Sequence, residues 1–178
     1  MNLSMPLVVC FFGPESTGKS TMAKTMAERF HAVWVPEVSR ELIDSNAFSL
    51  ADIEKIGHAQ LERMKTGEAA ADRLLICDTD LITTAIYSEH YLNSVPPVIA
   101  DLEKQQHIDH YFLFDIDVPW VADGLRDLGG QREHMMEKFR SALDHRGIPY
   151  TLVQGNYRNR EEIISKEIEG MLRQHPAG

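Results

Sequence analysis

Eight consecutive residues, Gly13-Pro14-Glu15-Ser16-Thr17-Gly18-Lys19-Ser20, fit the pattern G-x-x-x-x-G-K-[ST] in full. The residue types suit one task, the binding of a nucleoside triphosphate with magnesium. Gly13 and Gly18 let the backbone wrap closely around phosphate oxygens. The successive N–H groups that follow form an anion nest at a helix N-terminus. Glu15, Ser16 and Thr17, with Thr21 just beyond, complete the expected nucleotide-binding segment. Lys19 places a point charge between the β- and γ-phosphates, and Ser20 offers its hydroxyl to Mg²⁺. ATP and Mg²⁺ are therefore the expected cofactors.

Carboxylates supply the rest of such chemistry. Leu74-Leu75-Ile76-Cys77-Asp78 is an apolar strand ending in an acid. After a P-loop, Asp78 is the expected Mg²⁺-holding acid, acting through water. Asp80 lies two residues further on, and two readings stay open for it: contact with substrate hydroxyls or metal-bound water, or an ordinary helix N-cap. Glu37 ends another apolar segment and is placed to orient the acceptor hydroxyl or take its proton. Arg40 is close enough to steer phosphate or to pair with Glu37; a plain surface ion pair is the bland alternative. Further on, Arg126 and Arg132 stand among Gly124, Gly129 and Gly130. An arginine-bearing lid there would close over the triphosphate, with the glycines as its hinge.

The elements that must carry these residues alternate strand and helix from end to end, the pattern of an α/β domain. Five strands are predicted over 7–12, 32–35, 74–77, 111–116 and 150–153. Helices are predicted over about 18–30, from Ser49 to about Lys65, after Asp80 to about Leu92, from Pro96, over 131–144 and over 160–173. One P-loop domain with a doubly wound, mostly parallel five-stranded sheet accommodates residues 1–178. In such a sheet the strand C-termini face one crevice, which gathers the P-loop, Glu37 and Asp78.

Composition narrows the partners. A net charge of −9 argues against general nucleic-acid affinity. No stretch approaches the roughly 20 apolar residues of a membrane span. The first residues lack the basic region of a signal peptide, so a cytoplasmic location is expected. Cys10 and Cys77 fall in buried strands and are read as core residues. His107-Ile108-Asp109-His110 offers too few ligands for zinc and is read as the polar approach to the fourth strand.

Three segments together carry a family resemblance. The P-loop, Asp78-Thr79-Asp80-Leu81-Ile82-Thr83-Thr84 and the run from Trp120 to Gly129 resemble the ribosylnicotinamide kinase domain of the NadR type. The resemblance spans Leu7 to about Leu172. It implies a nucleoside-kinase-like fold and transfer of phosphate to the 5′ hydroxyl of nicotinamide riboside, with a small nucleoside as partner. Bifunctional relatives carry an adenylyltransferase domain before the kinase domain, and some add a DNA-binding motif. Here the P-loop begins at residue 13, so neither role is carried over. The second-strand motif departs from the relatives: Pro36 stands where they have an aromatic, and Val38-Ser39 where they have Tyr-Gly. An aromatic there could stack on a pyridinium ring. Tyr87 or Trp34 is the available substitute. Two other readings remain beside this one: a kinase for another acceptor, and an AAA-like regulatory ATPase with no acceptor. The short chain and the arginine lid favour transfer.

Overall fold

The computed structural model describes residues 5–122 and 125–175. Its centre is β1 (Leu7–Phe12), six apolar residues buried on both faces. A strand with no polar face must lie inside a parallel sheet covered by helices on both sides. That is where it is found. The sheet has the order β2-β3-β1-β4-β5, with β2 Val33–Val35, β3 Leu74–Asp78, β4 His110–Phe114 and β5 Tyr150–Val153. Every pairing is parallel, and β1 aligns Cys10 with Cys77 on one side and with Tyr111 on the other.

Alternation along the strands divides the core. Leu7, Val9 and Phe11 of β1 point to a layer built by α1 (Lys19–Phe30) and α7 (Tyr157–Gln174), where Met22, Met26, Ile164 and Ile168 are buried. Val8, Cys10 and Phe12 point the other way. That face is covered by α3 (Leu50–Ala70), α4 (Leu81–Leu92), α5 (Pro97–Glu103) and α6 (Arg132–His145). A short α2 (Ser39–Leu42) follows β2.

Local chemistry sets the element ends. Ser49 and Asp52 form a reciprocal capping box that starts α3. The helix continues to Ala70, a turn beyond the predicted end near Lys65, because its buried face runs on from Met64 to Gly67. Helix α7 begins at Tyr157, earlier than the predicted Arg160, because Asn156 and Asn159 form a second capping box. Strand β4 stops at Phe114, short of the predicted Ile116. The carbonyl of Asp115 there accepts from Arg160, and Arg160 also binds the Asp117 carboxylate. No helix of the described residues is long and apolar enough to cross a membrane.

Candidate nucleotide and acceptor site

The P-loop joins the C-terminal end of β1 to α1. Gly13 has φ of 137°, and a Cβ there would lie 2.8 Å from the carbonyl oxygen of Phe114 in β4. Only glycine fits that turn against the neighbouring strand. Gly18 caps α1 in a left-handed conformation, and the first turn of α1 receives no side-chain cap and holds no acid. Its N–H groups are thus left for an anion.

Lys19 lies along the inside of the loop. Its Nζ donates to the Pro14 carbonyl at 2.6 Å and to Thr17 Oγ1 at 3.3 Å. Burial pulls its pKa down, while Asp78 and Glu37 oppose that shift. Ser20 Oγ donates to Asp78 Oδ2 at 2.5 Å. Asp78 Oδ1 is buried without a hydrogen-bond partner among the described residues. Burial first, and then the charge of Glu37, push the Asp78 carboxyl up to about 6. A buried, underbonded carboxylate beside a serine hydroxyl and another acid fits a divalent cation, whose charge relieves both causes.

One cleft, enclosing about 1070 Å³ with its open mouth, runs from the P-loop to the ends of β2 and β3. Its nucleotide end is lined by Gly13 and by Glu15 through Thr21, with Arg126. At its other end lie Glu37, Ser39 and Arg40, then Thr79, Thr83 and Thr84. Glu37 is held by its neighbours: Ser39 Oγ donates to Oε1 at 3.0 Å and Arg40 Nε to Oε2 at 3.2 Å. Tyr87 lines the wall with Phe48 and Tyr91. Phe48 meets Tyr91 edge to face, and Tyr87 lies nearly parallel to Tyr91. Trp34 instead packs with the α1 and α7 layer, under the ammonium of Lys24. Of the two candidate aromatics, the cleft contains only Tyr87. Phe48 and Tyr91 had no motif to mark them.

Asp80 departs from its substrate reading. It is fully buried and caps α4: Oδ1 accepts from Thr83 N at 3.0 Å, and Oδ2 from Tyr111 Oη at 2.7 Å and Gln106 Nε2 at 3.0 Å. The reason is the residue before it. Thr79 has φ of 69°, so the chain turns sharply after Asp78 and sends the Asp80 carboxylate back into the protein. Thr83 and Thr84, one turn further, take the place at the cleft.

The lid segment is fastened to the P-loop by the loop's own side chains. Glu15 Oε1 accepts from Leu128 N at 2.8 Å and from Trp120 Nε1 at 3.4 Å. Ser16 Oγ accepts from Val121 N at 2.7 Å. Arg132 donates to the carbonyls of Val118, at 2.6 Å, and Ser16, at 3.4 Å, and does not line the cleft. The two arginines therefore divide: Arg126 lies at the cleft, and Arg132 ties the lid to the loop. Gly129 lies under the Trp120 ring, where a Cβ would come within 2.8 Å, so it serves close packing as well as chain direction. Gly124 falls outside the described residues. Arg160, which sequence reading passed over, is almost fully buried and donates to the Thr17 carbonyl at 2.8 Å from behind the loop.

A family described as an AAA domain matches residues 8–160. The chain belongs to that family. Within it, the AAA-domain chain is similar in sequence to NadR. The NadR of Escherichia coli strain K12, described as a trifunctional NAD biosynthesis/regulator protein, is 30% identical over 167 residues. That match covers 90% of this chain and 38% of the relative. The Salmonella typhimurium protein of the same description is 29% identical over 164 residues, covering 88% and 37%. The chain thus spans less than two fifths of the length of these curated relatives. A solved structure of NadR in complex with NR has a TM-score of 0.78 at 20% identity, covering 93% of this chain and 51% of that one. A deoxyadenosine kinase from M. mycoides has a TM-score of 0.68 at 13% identity, covering 92% and 100%. The shared architecture is that of the P-loop kinases.

Proposed function

We propose that this AAA-domain chain is an ATP-dependent kinase that phosphorylates a nucleoside-type small molecule, and that nicotinamide riboside is its acceptor. The observation that carries the reading is the single cleft with a P-loop at one end and Glu37 at the other. The charges of Asp78 and Glu37 both act on Lys19. The sequence similarity to NadR supports the acceptor. The Phe48, Tyr87 and Tyr91 wall supports it too, because it offers aromatic surface to a flat ring although Pro36 replaces the aromatic of the second-strand motif.

In this mechanism the P-loop amides and Lys19 hold the phosphates, and Ser20 and Asp78 are the residues that would hold Mg²⁺, which when bound would supply charge neutralisation at the phosphates. Glu37, fixed by Ser39 and Arg40, orients the acceptor hydroxyl and takes its proton. Arg126 stabilises charge at the transferring group. Lid contacts through Glu15 and Ser16 exclude water, which favours transfer over hydrolysis.

The test is ADP release from Mg·ATP, alone and with a panel of nucleosides. Strong stimulation by nicotinamide riboside is expected. Stimulation by a different nucleoside alone would keep the mechanism and discard the acceptor. A slow rate indifferent to every acceptor would point to an AAA-like ATPase.

A further inference from the structure

Helix α3 buries one face against the sheet, and that face is apolar except at one place. Gln60 is 2% exposed among Ile53, Ile56, Leu61 and Met64. A carboxamide removed from water costs free energy unless both its ends are bonded. Here both are. Gln60 Oε1 accepts from Val38 N at 3.3 Å, and Nε2 donates to the Thr79 carbonyl at 3.5 Å. Val38 directly follows Glu37, and Thr79 directly follows Asp78. One side chain thus links the two turns that carry the two acids.

The Thr79 turn needs such a link. A β-branched residue at φ of 69° is strained. Its amide is fixed by donation to the Phe11 carbonyl at 3.1 Å. Its carbonyl is fixed by Gln60. At the other end of the link, β2 is a three-residue edge strand. Gln60 also lines the cleft, so its bonds lie at the site rather than deep behind it. Asp78 ends β3 and Glu37 follows the end of the neighbouring β2, so Gln60 adds a side-chain link where the ladder between the two strands stops.

We propose that Gln60 is a positioning residue for phosphoryl transfer, setting the distance between the Glu37 turn and the Asp78 turn through its paired hydrogen bonds. Its carboxamide supplies the acceptor and the donor that this link uses. The inference rests on the kinase reading, which the wild-type chain tests by itself.

The experiment compares three variants of the full chain in the acceptor-dependent assay. Gln60→Met keeps length and apolar fit but breaks both bonds. It is expected to lower kcat roughly ten- to a hundredfold while the KM for ATP stays within about twofold, since misplacement of reacting groups acts on turnover. Gln60→Asn keeps a donor and an acceptor and adds no charge but is one methylene shorter, so it cannot span both turns equally well; its kcat is expected between wild type and Gln60→Met. Met64→Ala, one turn along the same buried face, is expected to lower the melting temperature with kcat retained. Wild-type kcat in both Gln60 variants would overturn the proposal. So would a loss in Gln60→Met that Met64→Ala matches at equal destabilisation. If Gln60→Met does not fold, the kcat of Gln60→Asn decides alone. A wild-type chain that transfers phosphate to no nucleoside would instead sink the kinase reading beneath it.

Discussion

Lys19 and Asp78 are both taken out of water, and each carries a shift that burial causes and a neighbour modifies. Burial lowers the lysine pKa and raises that of the aspartate. Their mutual attraction opposes both shifts, while Glu37 adds to the rise at Asp78 and opposes the fall at Lys19. Removing this cation takes away a charge that attracts both acids. Lys19→Ala is therefore expected to weaken ATP binding or cut kcat sharply, measured by nucleotide titration and steady-state turnover. Glu37→Gln is expected to lower kcat about 10²- to 10⁴-fold with ATP affinity held, which full activity in that variant would contradict. The P-loop residues were legible because phosphate chemistry dictates each type at its position. Asp80 was ambiguous because the same residue type serves caps and sites, and only the Thr79 turn decides. Gln60 left one sign in the sequence, a polar residue on an otherwise apolar helical face.

At the scale of elements, the lid and the P-loop form one assembly. The loop residue Glu15 takes hydrogen bonds from both ends of the Trp120–Leu128 stretch, through the Trp120 ring and the Leu128 amide. On the acceptor side, Asn46 Nδ2 donates to the Leu125 carbonyl at 3.0 Å, and Tyr91 donates to Asp127. Described residues of this segment thus bond cleft-lining residues from the P-loop to Asn46 and Tyr91. Glu15→Ala frees its P-loop side, so the ratio of acceptor-independent ATP hydrolysis to transfer is expected to rise several-fold as water enters. An unchanged ratio, measured from ADP and product together, would remove Glu15 from lid closure. The strands were legible from apolar runs bounded by turns. Element ends were not, because capping boxes at Ser49 and Asn156 and the Arg160 contact act through neighbours that periodicity ignores.

Across the whole molecule, an all-parallel sheet covered on both faces puts the P-loop, Glu37 and Asp78 at its C-terminal edge. The opposite edge is braced by His107. Burial pulls the His107 pKa down, but Glu68 at 2.8 Å and Asp109 at 3.1 Å outweigh it and hold it above its ordinary value. Asp109 Oδ2 in turn accepts from Val8 N at 2.8 Å, so the brace reaches β1. A raised histidine pKa stabilises the fold fully below its unfolded value of about 6.5, and the contribution fades as pH rises through the folded value. The melting temperature is expected to fall over that window, and His107→Gln to flatten the change. The effect is small, because the pair is partly solvated. Sequence reading took His107 as a polar approach to β4, which it is; its partner Glu68 lies on α3 and could not be read from spacing.

The most direct test of the central claim follows the phosphate itself. Nicotinamide riboside is incubated with Mg·ATP and the chain, and the products are resolved by mass spectrometry and ³¹P NMR. The account expects one monophosphate on the 5′ oxygen of the riboside for each ADP formed. ADP that accumulates with inorganic phosphate and leaves the riboside unmodified would contradict it.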